Sequence, residues 1–124
     1  MNAIEVNSLV LAYIGDSVYE SYVRLYLVGS GINHVKDLQN LSLNYVSAKS
    51  QSRILKELIN QNVFTEKELE VIKRARNAKT NSHPKNTDII TYKEATSLEA
   101  LFGYLKLENN EERIKELMQL ILHD

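Results

Sequence analysis

Two carboxylates stand out in the sequence because each lies inside an apolar segment. Asp16 is in the middle of LVLAYIGDSVYESYVRLYLV, and Glu99 is within SLEALFGYLKL. An ionised carboxylate in such surroundings is costly unless something positive binds it. Gly15 lies beside Asp16 and Gly103 lies one turn after Glu99, and a missing side chain lets two helices approach closely. We therefore expect two buried acids that converge on a divalent cation, with the oxygen ligands that magnesium prefers.

Structural roles compete for the same acids. Asp16 could form a buried salt bridge or cap a neighbouring helix, and Glu99 could lie in the first turn of its helix, where the dipole favours it. Glu20, one turn after Asp16, is a further candidate metal ligand, or it could only pair with Arg24 four residues on. Two acids with adjacent glycines together favour a shared site over these separate roles.

The elements that must position these acids are helices. One proline and four glycines leave few breakers, and apolar residues recur at helical spacing almost throughout, which predicts an all-α fold. Thr65 and Glu68 form a capping-box pattern ahead of a buried stripe that contains Leu69, Ile72 and Ala75. The turn-rich segment 80–88 is expected to be an exposed loop. The predicted helices span residues 8–28, 43–60, 66–79, 92–107 and 111–123.

Size and composition limit the classes of function. A chain of 124 residues and 14.2 kDa is expected to form a single domain over residues 1–124. It has no cysteine, which excludes a thiolate nucleophile or thiolate metal ligands and fits a reducing, cytoplasmic compartment. We expect neither a signal peptide nor a membrane span, because charged residues interrupt the longest apolar stretch. Three scattered histidines do not suggest a zinc site.

The two acidic segments carry a resemblance to a known family. LAYIGDSVYE resembles the signature of ribonuclease III, and EATSLEALFGYLKL resembles the second acidic segment of the same catalytic domain. The whole chain, including VSAKSQ and RARNAKTNSHPKNTD, is similar to the Mini-III ribonucleases, which have this catalytic domain without the double-stranded-RNA-binding domain. Ala12 and Thr96 replace two further acids of the usual ribonuclease III pattern, as they do in Mini-III enzymes. This departure leaves the number of metal ions open.

The resemblance implies a ribonuclease III-like helical fold and a homodimer that cleaves double-stranded RNA with Mg²⁺. It assigns catalysis and metal binding to Asp16 and Glu99. The expected products carry a 5′ phosphate and a 3′ hydroxyl with a short 3′ overhang. The implied substrate is the precursor of 23S ribosomal RNA in the large subunit, and a large-subunit ribosomal protein is a further candidate partner.

A basic run adjoins the predicted loop. Residues 73–85 contain five lysines and arginines and no acid, although the net charge of the chain is −1. A-form RNA is recognised mainly through its backbone and 2′-hydroxyls, so we expect this run to contact RNA. The alternative is a solvated helix end whose cations complement the dipole. The candidate RNA contacts are Arg74, Arg76, Asn77, Lys79 and Lys85, with Lys49, Gln51 and Asn86 as weaker candidates.

Two other classes of function remain open at the level of sequence. In a non-catalytic RNA-binding or ribosome-associated module, the acids would be structural and only the basic run would matter. In a protein-protein adaptor, an exposed helical face would carry the function without magnesium or duplex RNA. Substitution of Asp16 by asparagine distinguishes the enzyme from these two non-catalytic alternatives, because only the enzyme would lose cleavage of RNA.

Overall fold

A computed structural model describes residues 2–79, 85 and 87–122. Over these residues the chain is all-helical with no strand, which confirms the predicted fold class. A short 3-10 turn, Ala3–Glu5, precedes the helices. The helices are α1 Ser8–Gly29, α2 Val35–Val46, α3 Ala48–Asn60, α4 Glu66–Arg76, α5 Ile89–Leu107 and α6 Glu111–Leu122.

Helix α5 is the central helix, and α1, α3 and α4 pack around it. Nearly all of α5 from Glu94 to Leu105 is buried. Helix α1 buries one face, with Leu11, Gly15, Tyr19 and further residues at intervals of four. The apolar character of residues 8–28 predicts that they form the central, largely buried helix, and this was wrong, because α5 is central and one face of α1 is exposed to solvent.

Glycines allow the backbones of α1 and α5 to touch. A Cβ atom on Gly15 would lie 1.6 Å from the carbonyl oxygen of Glu99, and one on Gly103 would lie 1.8 Å from the carbonyl oxygen of Leu11. No side chain fits at either position. The predicted close approach of the two helices is therefore confirmed, and it is reciprocal, since each glycine faces the backbone of the other helix.

The helix predicted over residues 43–60 joins the end of α2 to α3, and residues 35–42, where a short turn is expected from the sequence, are the first part of α2. Ser47 has extended backbone angles, ends α2 and caps α3, its Oγ accepting a hydrogen bond from the Ser50 amide at 3.1 Å. One residue breaks the helix without interrupting its apolar periodicity, so the pattern alone did not reveal the break. A similar cap sets the start of α5, where Asp88 Oδ1 accepts from the Thr91 amide at 2.8 Å.

The capping box predicted at Thr65 and Glu68 is present at the start of α4. Arg113 of α6 donates to both carboxylate oxygens of Glu68 at 2.8 Å, which fixes α6 against α4. Two details of the predicted helix were wrong. It ends at Arg76 rather than at residue 79, and Leu69 is 41% exposed while Val71 is buried in its place.

Much of the predicted loop over residues 80–88 lies outside the described residues. Of the described helices, none is both long and apolar enough to cross a membrane.

Replacement of Gly15 by alanine should be strongly destabilising. The added methyl group would overlap the Glu99 carbonyl, so α1 and α5 must separate along a buried interface. We expect a loss of at least about 3 kcal/mol in the free energy of unfolding, measured by urea denaturation with circular dichroism. Gly29→Ala is the matched control, because a Cβ there meets no atom within 4 Å. Equal stability of the two variants would contradict the close contact.

Candidate active site

The contact between α1 and α5 brings Asp16 and Glu99 together. Gly15 lies against the Glu99 backbone, so the side chain of the next residue, Asp16, lies alongside the Glu99 carboxyl group, and the two carboxyls are close enough to hydrogen-bond. The predicted convergence of these acids is therefore present in the structure. Glu99 is partly buried and Asp16 is exposed. The pair lies at an open edge of the helix contact.

Two expectations about the surroundings of the acids were wrong. Asp16 was expected to be buried, yet it projects to the solvent side of α1, because only one face of that helix is covered. The alternative that placed Glu99 in a first helical turn also fails, since α5 begins ten residues earlier at Ile89. The ion pairs formed among the described residues include neither acid, so a structural salt bridge does not explain them.

The environment of Glu99 raises its pKa to about 8. Burial is the largest cause, followed by the hydrogen bond with Asp16 and the negative charge of that residue; the charge of Glu20 acts in the same direction. Gln51 of α3 opposes the shift, since its Nε2 donates to Glu99 Oε2 at 3.5 Å. Without a cation, Glu99 therefore holds a proton at neutral pH.

Glu20 pairs with Arg24, which was the alternative expected for it, and its negative charge also raises the pKa of Glu99. Its carboxylate accepts from Arg24 at 3.3 Å, and its side chain is 36% exposed. Within the described part of the chain, no group of three or more acidic or histidine side chains is arranged to hold a metal ion. The donors that do converge are the oxygens of Asp16 and Glu99, with the Gln51 amide beside them. Magnesium is commonly held by one or two carboxylates and completes its shell with water, so this donor set fits it.

Tyr19 lies three residues after Asp16 on α1, close enough to Glu99 for the charge of that acid to act on its phenol. It is fully buried, its hydroxyl donates to the Tyr45 carbonyl at 2.7 Å, and its ring meets Phe102 edge to face at 5.5 Å between centroids. Burial, and after it the charge of Glu99, raises the pKa of the Tyr19 phenol. The helical spacing of most tyrosines predicts packing in the core or in a dimer interface rather than stacking on bases; Tyr19 lies in the core, and Tyr13 is 82% exposed.

The predicted RNA contacts fall into different environments. Arg74 is turned inward, where its guanidinium donates to the carbonyls of Ile4 and Val6 and to Ser8 Oγ. Arg76 is half-exposed and lies 3.8 Å from Glu94. Asn77, Lys79, Lys85 and Lys49 are exposed, and Asn77 also ends α4. Gln51, the other weaker candidate, is buried and donates to Glu99, so it is not on an RNA-accessible surface. Asn86 lies outside the described residues.

One charged cluster was not anticipated from the sequence. Glu94 of α5 is buried, with 4% of its surface exposed, and meets Ser52 and Lys56 of α3 as well as Arg76. In sequence, Glu94 is a common glutamate near the start of a helix. Only the packing of three helices brings its partners together, so no local pattern could have revealed it.

The chain is similar to known proteins over nearly its whole length. The ribonuclease III domain family model matches residues 9–110. The Mini-ribonuclease 3 of Staphylococcus aureus is 44% identical over 117 residues, which are 94% of this chain and 87% of that protein. The Mini-ribonuclease 3 of Brevibacillus brevis is 47% identical over 113 residues, 91% of this chain and 83% of that protein. A crystal structure of a Fusobacterium nucleatum protein superposes with a TM-score of 0.86 at 33% identity, covering 97% of this chain and 96% of that one.

The raised pKa of Glu99 predicts how stability depends on pH in the absence of metal. From the ordinary value of 4.5 to about 8, the folded protein keeps a proton that the unfolded chain has released. The free energy of unfolding should therefore fall as pH rises through this window, by up to about 1.4 kcal/mol per unit, and then level off. Urea denaturation in EDTA between pH 5 and 9 measures this.

Glu99→Gln removes this titration, so its stability relative to the wild type should increase steadily with pH. Glu70→Gln is the control, because Glu70 is exposed and belongs to none of the ion pairs among the described residues. It should follow the wild-type profile. Parallel profiles for Glu99→Gln and the wild type would show that the pKa of Glu99 is not raised.

Proposed function

The chain belongs to the ribonuclease III family and is an endoribonuclease, and we propose that it cleaves double-stranded RNA with magnesium through Asp16 and Glu99. The observation that carries this proposal is the meeting of these two carboxyls, from helices whose backbones touch through glycine. A structural ion pair would supply a cation from the protein, and neither acid has one among the described residues.

The electrostatics of the pair favour a bound cation. Glu99 keeps a proton near neutral pH because Asp16 is beside it and solvent is partly excluded. A divalent cation held by Asp16 and Glu99 would displace that proton and neutralise both acids. Magnesium bound there supplies polarisation of a phosphoryl oxygen and a water of lowered pKa. Glu20 is the weaker candidate ligand, because its carboxylate already accepts from Arg24.

The two acids would have different roles, because they differ in exposure to solvent. Glu99 is partly buried and held by Gln51, so its carboxylate keeps one orientation. Asp16 is exposed and can meet a phosphate of an RNA lying across the surface. Hydrolysis there would leave a 5′ phosphate and a 3′ hydroxyl, as the family resemblance implies. Two carboxylates support one ion per subunit more readily than two.

A homodimer would supply a second site for the second strand. Two cuts on a duplex need two centres related by a two-fold axis, which an isologous dimer provides. Tyr13, 82% exposed, lies on α1 one turn before Asp16, and Leu9 and Val10 beside it are 40% and 48% exposed. Association through this apolar surface would bring two acidic pairs near one another. A sedimentation mass near the 14.2 kDa of one chain for the active protein would contradict the dimer.

Among the described residues, exposed cations around the end of α4 are the first candidates for contact with RNA. Lys79 and Lys85 are exposed and form no ion pair with a described residue, and Asn77 is exposed beside them. We propose that these residues grip the RNA backbone, with Lys49 on α3 as a further contact. The inward position of Arg74 favours a structural role for it, holding the N-terminal segment against α4.

Family resemblance favours the 23S ribosomal RNA precursor as the substrate, with a large-subunit ribosomal protein as a further candidate partner. A chain with one small RNA-binding surface should have modest affinity for a generic duplex. Its preference for one RNA over another should depend on the structure of that RNA. Cleavage rates on the stem that brackets 23S RNA and on an unrelated duplex of equal length test this. Equal rates would argue against the substrate proposal while leaving the endoribonuclease unaffected.

Asp16→Asn and Glu99→Gln should each lower the single-turnover rate of duplex cleavage at least about 100-fold, since stabilisation of several kcal/mol disappears with the metal site. Dimerisation and RNA binding should persist. Glu20→Gln, which removes one negative charge from the same face of α1, should lower the rate less than about tenfold. If Asp16→Asn cut duplex RNA at the wild-type rate with magnesium, the catalytic assignment would be wrong.

Replacement of Lys79 and Lys85 by alanine should weaken binding of duplex RNA and reduce the dependence of affinity on salt. For every phosphate that is no longer neutralised, the slope of log K against log salt should fall by about one. Gel shift over a range of salt concentrations measures this. The matched control is the Lys67 and Lys115 double alanine variant, which removes the same charge from exposed positions on α4 and α6. Equal weakening of RNA binding in both variants would refute a local contact.

A further inference from the structure

Glu94 is a buried carboxylate that the proposed chemistry does not use. Its side chain is 5% exposed, deep in the packing of α3, α4 and α5. It has a partner from each neighbouring helix. Ser52 of α3 donates to its Oε1 at 2.7 Å, Lys56 of α3 lies 3.4 Å from the same oxygen, and Arg76 of α4 lies 3.8 Å from Oε2.

The geometry of this cluster is asymmetric. The carboxylate is buried, while the side chains of Lys56 and Arg76 are 61% and 53% exposed. Two cations from different helices are thus held side by side at the surface by one anion beneath them. Without that anion they would repel each other and their long side chains would disperse. The three groups together carry one net positive charge, and that charge is presented to solvent.

This cluster lies near the acidic pair along the same two helices. Adjacent residues of α3 contact the two acids of α5, Gln51 reaching Glu99 and Ser52 reaching Glu94. The five residues from Glu94 to Glu99 correspond to about 7.5 Å along a helix axis. The same five residues turn the side chains by about 140° around the axis, so long side chains at Lys56 and Arg76 would meet a phosphate of the duplex other than the one at Asp16 and Glu99.

The surface around Lys56 is also suited to an anion. Lys56 lines a shallow depression together with Lys49, Arg53 and Thr91, and Glu57 is the exposed acid among its lining residues. Glu57 is paired with Arg53 at 3.3 Å, and Lys56 is paired from above with the buried Glu94 at 3.4 Å, so the lining carries three cations and one exposed acid. Backbone phosphates of RNA are the anions that a cleft of this kind would meet in an endoribonuclease.

We propose that Glu94 is a positioning residue that holds Lys56 and Arg76 together to bind a backbone phosphate next to the one being cut. This inference rests on the proposed function, since it assumes duplex RNA at the acidic pair. It adds Lys56 to the RNA-binding surface and gives Arg76 its orientation. Glu94 itself does not touch RNA.

The sign of the effect in Glu94→Gln tests this role. Glutamine keeps an oxygen for the Ser52 hydroxyl and removes the negative charge. If only total charge mattered, the loss of an acid would tighten RNA binding. If Glu94 positions the two cations, binding weakens, and we expect a rise of about three- to tenfold in KM for duplex RNA with kcat within about twofold of the wild type. The proposal is overturned if KM falls or stays unchanged.

Glu57→Gln is the matched control. It removes the same charge from an acid that lines the depression around Lys56, but Glu57 is paired with Arg53 and contacts neither Lys56 nor Arg76 among the ion pairs of the described residues. Its KM should be unchanged or slightly lower. An equal rise in KM in Glu57→Gln and Glu94→Gln would overturn the positioning role.

Surface variants keep the proposal testable if Glu94→Gln fails to fold. Lys56→Gln and Arg76→Gln should each raise KM about three- to tenfold and lower the salt slope by about one, and Arg76→Lys should restore most of the affinity. In a folded Glu94→Gln background these increases in KM should shrink, because the cations are already dispersed. Wild-type KM in both single variants overturns the inference. A wild type that fails to cut duplex RNA would instead overturn the proposed function.

Discussion

The contact of two helix backbones without an intervening side chain is the constraint on which this molecule depends. Gly15 and Gly103 each face a backbone carbonyl of the opposite helix, so α1 and α5 can pack only in this register. The register also fixes the positions of the side chains next to these glycines, and it places Asp16 beside Glu99. A shift of either helix by one residue would turn one acid away from the other. Fold and site are therefore set by the same few atoms.

That arrangement leaves an electrostatic cost at Glu99, whereas Glu94, on the same helix, has partners that offset it. Glu99 is partly buried and lies beside a second acid, and an amide from α3 only partly opposes these effects, so its pKa is raised to about 8. Glu94, five residues earlier, has a hydroxyl, a lysine and an arginine around it. Two adjacent residues of α3 contact these acids: Gln51 donates to Glu99 and Ser52 donates to Glu94. A partly buried acid with no positive partner among the described residues, such as Glu99, is typical of a ligand-binding site. Glu94 has positive partners and is therefore a structural residue.

The sequence was informative wherever a local pattern had a direct physical meaning. Apolar periodicity and the capping residues predicted the helices, and acids with neighbouring glycines predicted the meeting of Asp16 and Glu99. The sequence did not predict features that depend on which neighbouring element covers a given face of a helix. Asp16 is exposed because nothing in the described part of this chain packs over that side of α1, and the helix predicted over residues 43–60 breaks at Ser47, whose hydroxyl caps α3 without disturbing the apolar pattern. Glu94 gave no signal, because its partners come from two other helices.

The basic run shows why charge counted along a sequence does not map onto a binding surface. Arg74 and Arg76 are two residues apart, which on a helix turns their side chains by about 200°. Arg74 therefore points inward and donates to the carbonyls of the N-terminal segment, while Arg76 points outward beside Glu94. A lysine from elsewhere in the chain, Lys56, joins Arg76 at the same carboxylate. The positive surface is thus assembled by tertiary packing, and a buried anion determines which of the cations act together.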